Sequence, residues 1–339
     1  LSSQDQSLIW QTAERIFEDL AHDATSKDAL MSAVVENGLA LTWVPEDLGG
    51  VGGDVADGYD VIRLAGRYAV AVPLVEMLVA GRIAALAGAD VPEGVTTIAT
   101  SAPASSGGPV TLRAVPFARE SERILVALDC ERIGVFETSA ATVRERQNDI
   151  GAARCDVVLA DLDHPTAVLT PPLLLGETSR LDVEGVVARA VQTAGALEAV
   201  LAMSVQYARE REAFGRPIAK FQAVQHMLAR IAEEVAAALT AARSAADTLE
   251  SPPEDETAVL LEVASAKVRV TEAADTAMSL AHQVHGAIGI TNDYRLQRYA
   301  RLIIGWRDDF GAPAAWASRL GAVVARGGGA SIWPTLTTR

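Results

Sequence analysis

Hydrophobic and polar positions change their spacing twice along the chain, and each change predicts a change of architecture. Over residues 2–36, Ile9, Ala13, Ile16, Phe17 and Leu20 recur at three- and four-residue intervals, which predicts the first of two helices. The stretch 41–54, LTWVPEDLGGVGGD, breaks that period. Its proline and paired glycines predict a loop of tight turns, without the spacing or strand context of a dinucleotide fingerprint and with no chemistry of its own. Helical spacing returns over 57–88, where Pro73 is expected to kink or split the helix. Past residue 91, glycine, serine and proline gather at 101–109. Short alternating or β-branched runs follow at 110–115, 123–128, 132–137 and 155–159, predicting a compact β domain of few, short strands.

Near Leu181 the helical period resumes. Two long patterns run to about residue 249, interrupted only at Phe214-Gly215-Arg216-Pro217, and Ser251-Pro252-Pro253 marks a loop. A third helix is predicted over 256–285, and further elements over 299–306 and 313–325. Short connections imply an up-and-down bundle. The expected fold is mainly α with a small β domain: an N-terminal helical domain over 1–91, a β domain over 92–180, a helical bundle over 181–326 and a tail over 327–339, flexible or laid on a partner.

Composition narrows the chemistry. Half of the 339 residues are hydrophobic, enough for a substantial core in two or three domains without staples. A net charge of -15 argues against nucleic acid or an anionic membrane as partner. Cys130 and Cys155 form no disulfide or zinc pattern, and His282 and His285 have no carboxylate or thiol cluster beside them, so no metal site is expected. With no long apolar run and no basic-then-apolar N-terminus, the expectation is a soluble cytoplasmic protein without membrane insertion.

The segment 207–226, YAREREAFGRPIAKFQAVQH, carries the densest candidate chemistry. Pro217 is expected to open a second helix after the turn, on which Phe221, Val224, Leu228, Ile231 and Val235 form an apolar face and Gln222, Gln225, Arg230, Glu233 and Glu234 a polar one. Arg211 ends one helix and Gln222 lies in the first turns of the next. A fixed cation and an amide donor that converge there suit a phosphate or pyrophosphate. An ordinary helical hairpin, with Arg211 solvated or paired with Glu210 or Glu212, fits the same spacing.

The string REREAFGRPIAKFQAVQHMLA resembles the C-terminal signature of the acyl-CoA dehydrogenase flavoproteins, and HQVHGAIGITNDYRLQRYAR, residues 282–301, is similar to a second string of that family. The loop 41–54 looks like the family's glycine-rich segment near the front of the chain. The resemblance covers essentially the whole chain and implies an acyl-CoA dehydrogenase-like fold with FAD as cofactor. It implies that Arg211, Phe214 and Gln222 contact the adenosine diphosphate end of an FAD held mainly by a neighbouring subunit. Gln283, Gly286 and Ala287 would form a turn against the same pyrophosphate, with Ala287 standing where the family usually has glycine. The implied reaction is α,β-desaturation of an acyl-CoA: a carboxylate takes the α proton, the flavin accepts a hydride, and an electron-transfer flavoprotein receives the electrons.

Two departures from the family accompany these matches. The usual base, a glutamate before the last helix, aligns with Phe310, whose neighbour Asp309 is a weak substitute; the alternative base position holds Gly185, beside Glu184, with Val186 where an arginine usually follows. No catalytic residue is therefore assigned, and Asp308, Asp309 and Glu184 are expected to be surface carboxylates. The β domain is also short, and no tryptophan occurs between Trp43 and Trp306 to lie against a flavin. This combination resembles the smaller subunit of actinobacterial heteromeric acyl-CoA dehydrogenases. It implies an α2β2 tetramer in which a larger partner supplies the base and most of the FAD site, acting on CoA thioesters such as sterol-derived ones. A homo-oligomeric dehydrogenase using Glu184 or Asp309 as base, and a non-enzymatic scaffold of the same fold, are the alternatives.

Overall fold

The computed structural model describes residues 7–21, 26–99, 108–146, 154–328, 330 and 333–334. Four helices come first: α1 (Leu8–Leu20), α2 (Lys27–Glu36), α3 (Val55–Arg67) and α4 (Leu74–Leu86). Ser7 caps α1 by accepting a bond from the Trp10 amide, and Asp54 opens α3 through a reciprocal capping box with Asp57. Pro73 splits the third helical stretch outright and stands at the N-cap of α4. The loop 41–54 is irregular, as its glycines predict, with two short 3-10 turns.

Seven strands follow among the described residues: β1 (Thr96–Ile98), β2 (Val110–Pro116), β3 (Arg123–Ala127), β4 (Ile133–Glu137), β5 (Thr142–Glu145), β6 (Arg154–Leu159) and β7 (Ala167–Leu169). One sheet runs β1-β3-β4-β7, with β1 parallel to β3; the other is the antiparallel set β2-β6-β5. A small apolar cluster, including Leu112, Ile124, Phe136 and Val157, fills the space between them. The expectation of few strands fails for β1, β5 and β7, which are too short to display a period.

The remaining helices are α5 (Arg180–Glu210), α6 (Gln222–Glu250), α7 (Glu256–His285), α8 (Leu296–Trp306) and α9 (Pro313–Gly327). Between α5 and α6 the backbone makes a miniature hairpin, β8 (Glu212–Ala213) with β9 (Arg216–Pro217), turned by Phe214 and Gly215 at φ 52 and 76. Two successive positive φ values match the twist of a tight hairpin. Pro217 therefore does not open α6: it precedes a 3-10 turn at Ile218–Lys220, and α6 begins at Gln222. Within α6, Glu234 leaves the predicted polar face and is buried, held by Arg230 and Arg269.

A large apolar core joins α1–α4 to the bundle through α5. The backbones of α3 and α5 nearly touch: a Cβ on Gly66 would lie 1.9 Å from the Gln192 carbonyl oxygen, and one on Gly195 2.0 Å from that of Arg63. Helix α5 is long and apolar enough to cross a membrane, but 72% of its apolar window is buried in the protein, so packing accounts for its composition. Of the expected tail, Gly327 ends α9, and residues 329, 331–332 and 335–339 lie outside the described residues.

Candidate cofactor half-site and a closed base pocket

Helices α5 and α7 finish where α6 begins. Tyr207, in the last turn of α5, stacks on His285, the last residue of α7, with ring centroids 4.6 Å apart, and Tyr294 closes on the pair at 5.8 and 4.9 Å. Burial pushes the His285 pKa down, so the ring is neutral near pH 7 and its Nδ1 donates to the Ala281 carbonyl at 2.8 Å. The aromatic cluster locks the two helix ends together. Arg211, one turn past Tyr207, is thereby brought to the same end of the bundle as Gln283, Gly286 and Ala287, which flank His285.

All six residues implied for FAD are open to solvent there, except that Phe214 also leans edge-on against Phe221 at 6.1 Å. Arg211 makes no side-chain hydrogen bond or ion pair among the described residues; Glu210 accepts from Gln206 at 2.9 Å instead. Phe214 is 96% exposed at the hairpin tip, and Gln222 is the first residue of α6. Gly286 adopts φ 61 and ψ -144, a region open in practice to glycine alone, and a Cβ there would meet nothing within 4 Å. An unpaired guanidinium, the positive end of a long helix, exposed amide donors and an approachable backbone suit a diphosphate.

The two positions where a base is expected meet inside the protein. Phe310, at φ 58 and 4% exposed, lays its ring on Gly185 of α5: a Cβ at Gly185 would lie 2.3 Å from that ring. The phenyl group occupies the volume a side chain at 185 would need. Gly185→Ala is accordingly expected to destabilise the fold by about 1–3 kcal/mol through overpacking, more than the roughly 1 kcal/mol that helix propensity returns. Combined with Phe310→Leu it should cost clearly less than the sum of the two single changes; an additive double-mutant cycle in urea unfolding would refute the contact.

Glu184 and Asp309 are not surface carboxylates; of the three residues expected on the surface, only Asp308 lies there. Glu184 is fully buried, accepting from Arg180 Nε and Nη2 at 2.9 and 2.7 Å and paired with Arg82 Nε at 2.9 Å. Asp309 receives a two-pronged contact from Arg154 of β6, at 2.8 and 3.0 Å, and another from Arg189 Nε at 2.9 Å. Arg189 also binds Glu76 of α4, and Lys267 Nζ donates to the Arg307 and Asp309 carbonyls at 2.7 and 2.8 Å. Burial raises both carboxyl pKa values, but the paired arginines outweigh it and hold them below the usual range. Each carboxylate is ionised and fully engaged, so neither is placed to accept a substrate proton.

Residues 179–303 match the model of the acyl-CoA dehydrogenase C-terminal domain. The acyl-CoA dehydrogenase IpdE2 of Mycobacterium tuberculosis is 30% identical over 83% of this chain and 81% of its own length. The chain belongs to the acyl-CoA dehydrogenase family. The IpdE2 of Mycolicibacterium smegmatis is 26% identical over 95% of this chain and 99% of that protein. In fold, this family member is similar to one chain of the ChsE4-ChsE5 complex from Mycobacterium tuberculosis, with a TM-score of 0.79 at 20% identity over 94% of this chain and 98% of that one.

Members of the acyl-CoA dehydrogenase family bind FAD. Sequence reasoning about this member missed the Tyr207, His285 and Tyr294 cluster, although His285 and Tyr294 stand inside the second family-like string and Tyr207 lies two residues before the first. It also missed the arginines around the carboxylates. Arg180, four residues before Glu184, was legible as a helical pair; Arg82, Arg154 and Arg189 were not, because they arrive from other elements.

Proposed function

We propose that this chain is the supporting subunit of an FAD-dependent acyl-CoA dehydrogenase that desaturates an acyl-CoA between its α and β carbons. The Phe310 contact with Gly185 carries the reading: both positions where the family places a base hold non-acidic residues, packed against each other with no room for one. The open cluster at the bundle end supports a complementary role. There the Arg211 guanidinium neutralises diphosphate charge, the Gln222 and Gln283 amides donate, and Gly286 lets the backbone approach. Bound FAD supplies the hydride acceptor, while a larger partner subunit contributes the base and the rest of the flavin site in an α2β2 assembly. An electron-transfer flavoprotein is the proposed acceptor, and similarity to a protein of the ChsE4-ChsE5 complex favours a heteromer. In this scheme residues 1–91 and 92–180 form supporting domains, and 181–326 carries the half-site.

The homo-oligomeric reading requires Glu184 or Asp309 as base, and both are locked in arginine pairs. Expression alone and with the companion dehydrogenase subunit tests the proposal. The chain alone is expected to be colourless and inactive; co-expression should give a yellow complex that turns over acyl-CoA with an artificial acceptor. Phe310→Glu should give the isolated chain no turnover. A yellow, active chain on its own would sink the proposal, and a complex that stays colourless would favour the scaffold.

A further inference from the structure

Away from the bundle end, a cavity of about 260 Å³ opens where α1, α2, the turn before α4, the end of β2, α5 and α8 meet. Leu20, Leu30, Val70, Val72, Leu302 and Trp306 give it apolar walls. Its charged lining is paired off with one exception. Lys27 bonds Glu120 at 2.6 Å, Glu76 is held by Arg189, and Arg154 and Arg189 share Asp309. Arg298 has no carboxylate partner among the described residues. Its Nη2 donates to the Ala69 carbonyl at 2.7 Å, and desolvation pulls its pKa below the ordinary arginine value. Ala69 itself is held at φ 53, a conformation that favours glycine.

Gln192 supplies a second, independent observation. It is 3% exposed, and its Oε1 accepts from Arg189 Nη1 at 2.6 Å. A guanidinium cannot accept, so the amide oxygen must be the atom facing it, which leaves the amide nitrogen as the free end. That nitrogen makes no hydrogen bond among the described residues, although Gln192 lines the cavity. A guanidinium without a countercharge and an amide nitrogen without an acceptor thus border an apolar-walled void. Water satisfies the donors but brings no countercharge.

We propose that this cavity binds the carboxylate of a small apolar acid, with Arg298 as its counter-ion and the Gln192 amide as a second donor. A dry cavity of roughly 150 Å³ accommodates benzene, so the volume here suits a single-ring acid. One guanidinium and one amide match the two oxygens of a carboxylate, whereas a phosphate dianion leaves charge uncompensated between apolar walls. The site uses none of the half-site residues and does not depend on the FAD reading.

The test is calorimetric titration of the full chain with benzoate and with cyclohexanecarboxylate, using benzamide and inorganic phosphate as comparisons. At least one carboxylate should bind with one-to-one stoichiometry, and benzamide at least about tenfold more weakly. Arg298→Met should weaken carboxylate binding by about tenfold or more, Gln192→Leu by less, and Leu30→Trp, which fills the void, should abolish it. If Arg298→Met does not fold, as judged by circular dichroism, Leu30→Trp and Gln192→Leu decide the matter. Absence of saturable carboxylate binding, equal binding of benzamide, or binding unchanged in the folded variants overturns the proposal. Phosphate binding as tightly as either acid overturns the assignment to an apolar acid.

Discussion

Asp309→Ala is expected to lower the unfolding free energy by about 3–5 kcal/mol, the cost of removing one partner from a buried ion-pair network. The magnitude follows from what is left behind. Arg154 and Arg189 both direct guanidinium nitrogens at this carboxylate, and Arg189 retains only Glu76 as countercharge once it is gone. Urea unfolding provides the measurement, and a loss below about 1 kcal/mol, the scale of an exposed pair, would mean that the network does not hold in solution. The pH dependence follows from the same groups. Asp309 and Glu184 have folded pKa values below their unfolded ones, so their stabilisation is complete above the unfolded carboxylate pKa and is lost as pH falls through the folded values. Asp182 acts in the opposite sense. Burial, partly offset by Arg319, pushes it up to about 6, so its contribution is present below the unfolded value and is lost as pH rises through about 6.

Arg211→Ala is expected to weaken FAD binding in the assembled complex by about tenfold to a hundredfold, the loss of a charge-assisted contact typically worth 1.5–3 kcal/mol. The fold should be unaffected, since the Arg211 side chain is exposed and makes no bond within the described residues. Gln283→Ala, which removes a neutral donor, should show a smaller defect of the same kind. Flavin fluorescence during titration of the apo-complex measures both. Unchanged affinity in Arg211→Ala, with the complex intact by size-exclusion chromatography, would count against the half-site. Because Tyr207 and His285 tie Arg211 to Gln283, disrupting their stack offers a second way to perturb the same affinity.

Local sequence determined the helices and most of the sheet. The predicted run from 256 to about 285 coincides with helix α7, because its period is uninterrupted between an aspartate that caps it and a glycine that ends it. Strands β2, β3, β4 and β6 lay where β-branched runs alternate, and Phe214-Gly215 marked the turn between two helices, although the small hairpin there was not foreseen and Pro217 proved not to start the helix beyond it. The two strings around Arg211 and Gln283 were equally visible, since each is contiguous in sequence, and the fold brings them to one end of the bundle. Tertiary structure alone decided the rest. Whether Glu184 and Asp309 face water depends on Arg82, Arg154 and Arg189, which lie on separate elements more than 100 positions from the carboxylates they meet in space. Period and composition carry no information about such pairs, because burying a charge depends on a partner brought by the fold and not by the neighbouring sequence. The contact of Phe310 with Gly185 is of the same kind. In sequence, the family resemblance sets Phe310 and Gly185 at the positions expected for a base; only packing revealed that one residue fills the space of the other.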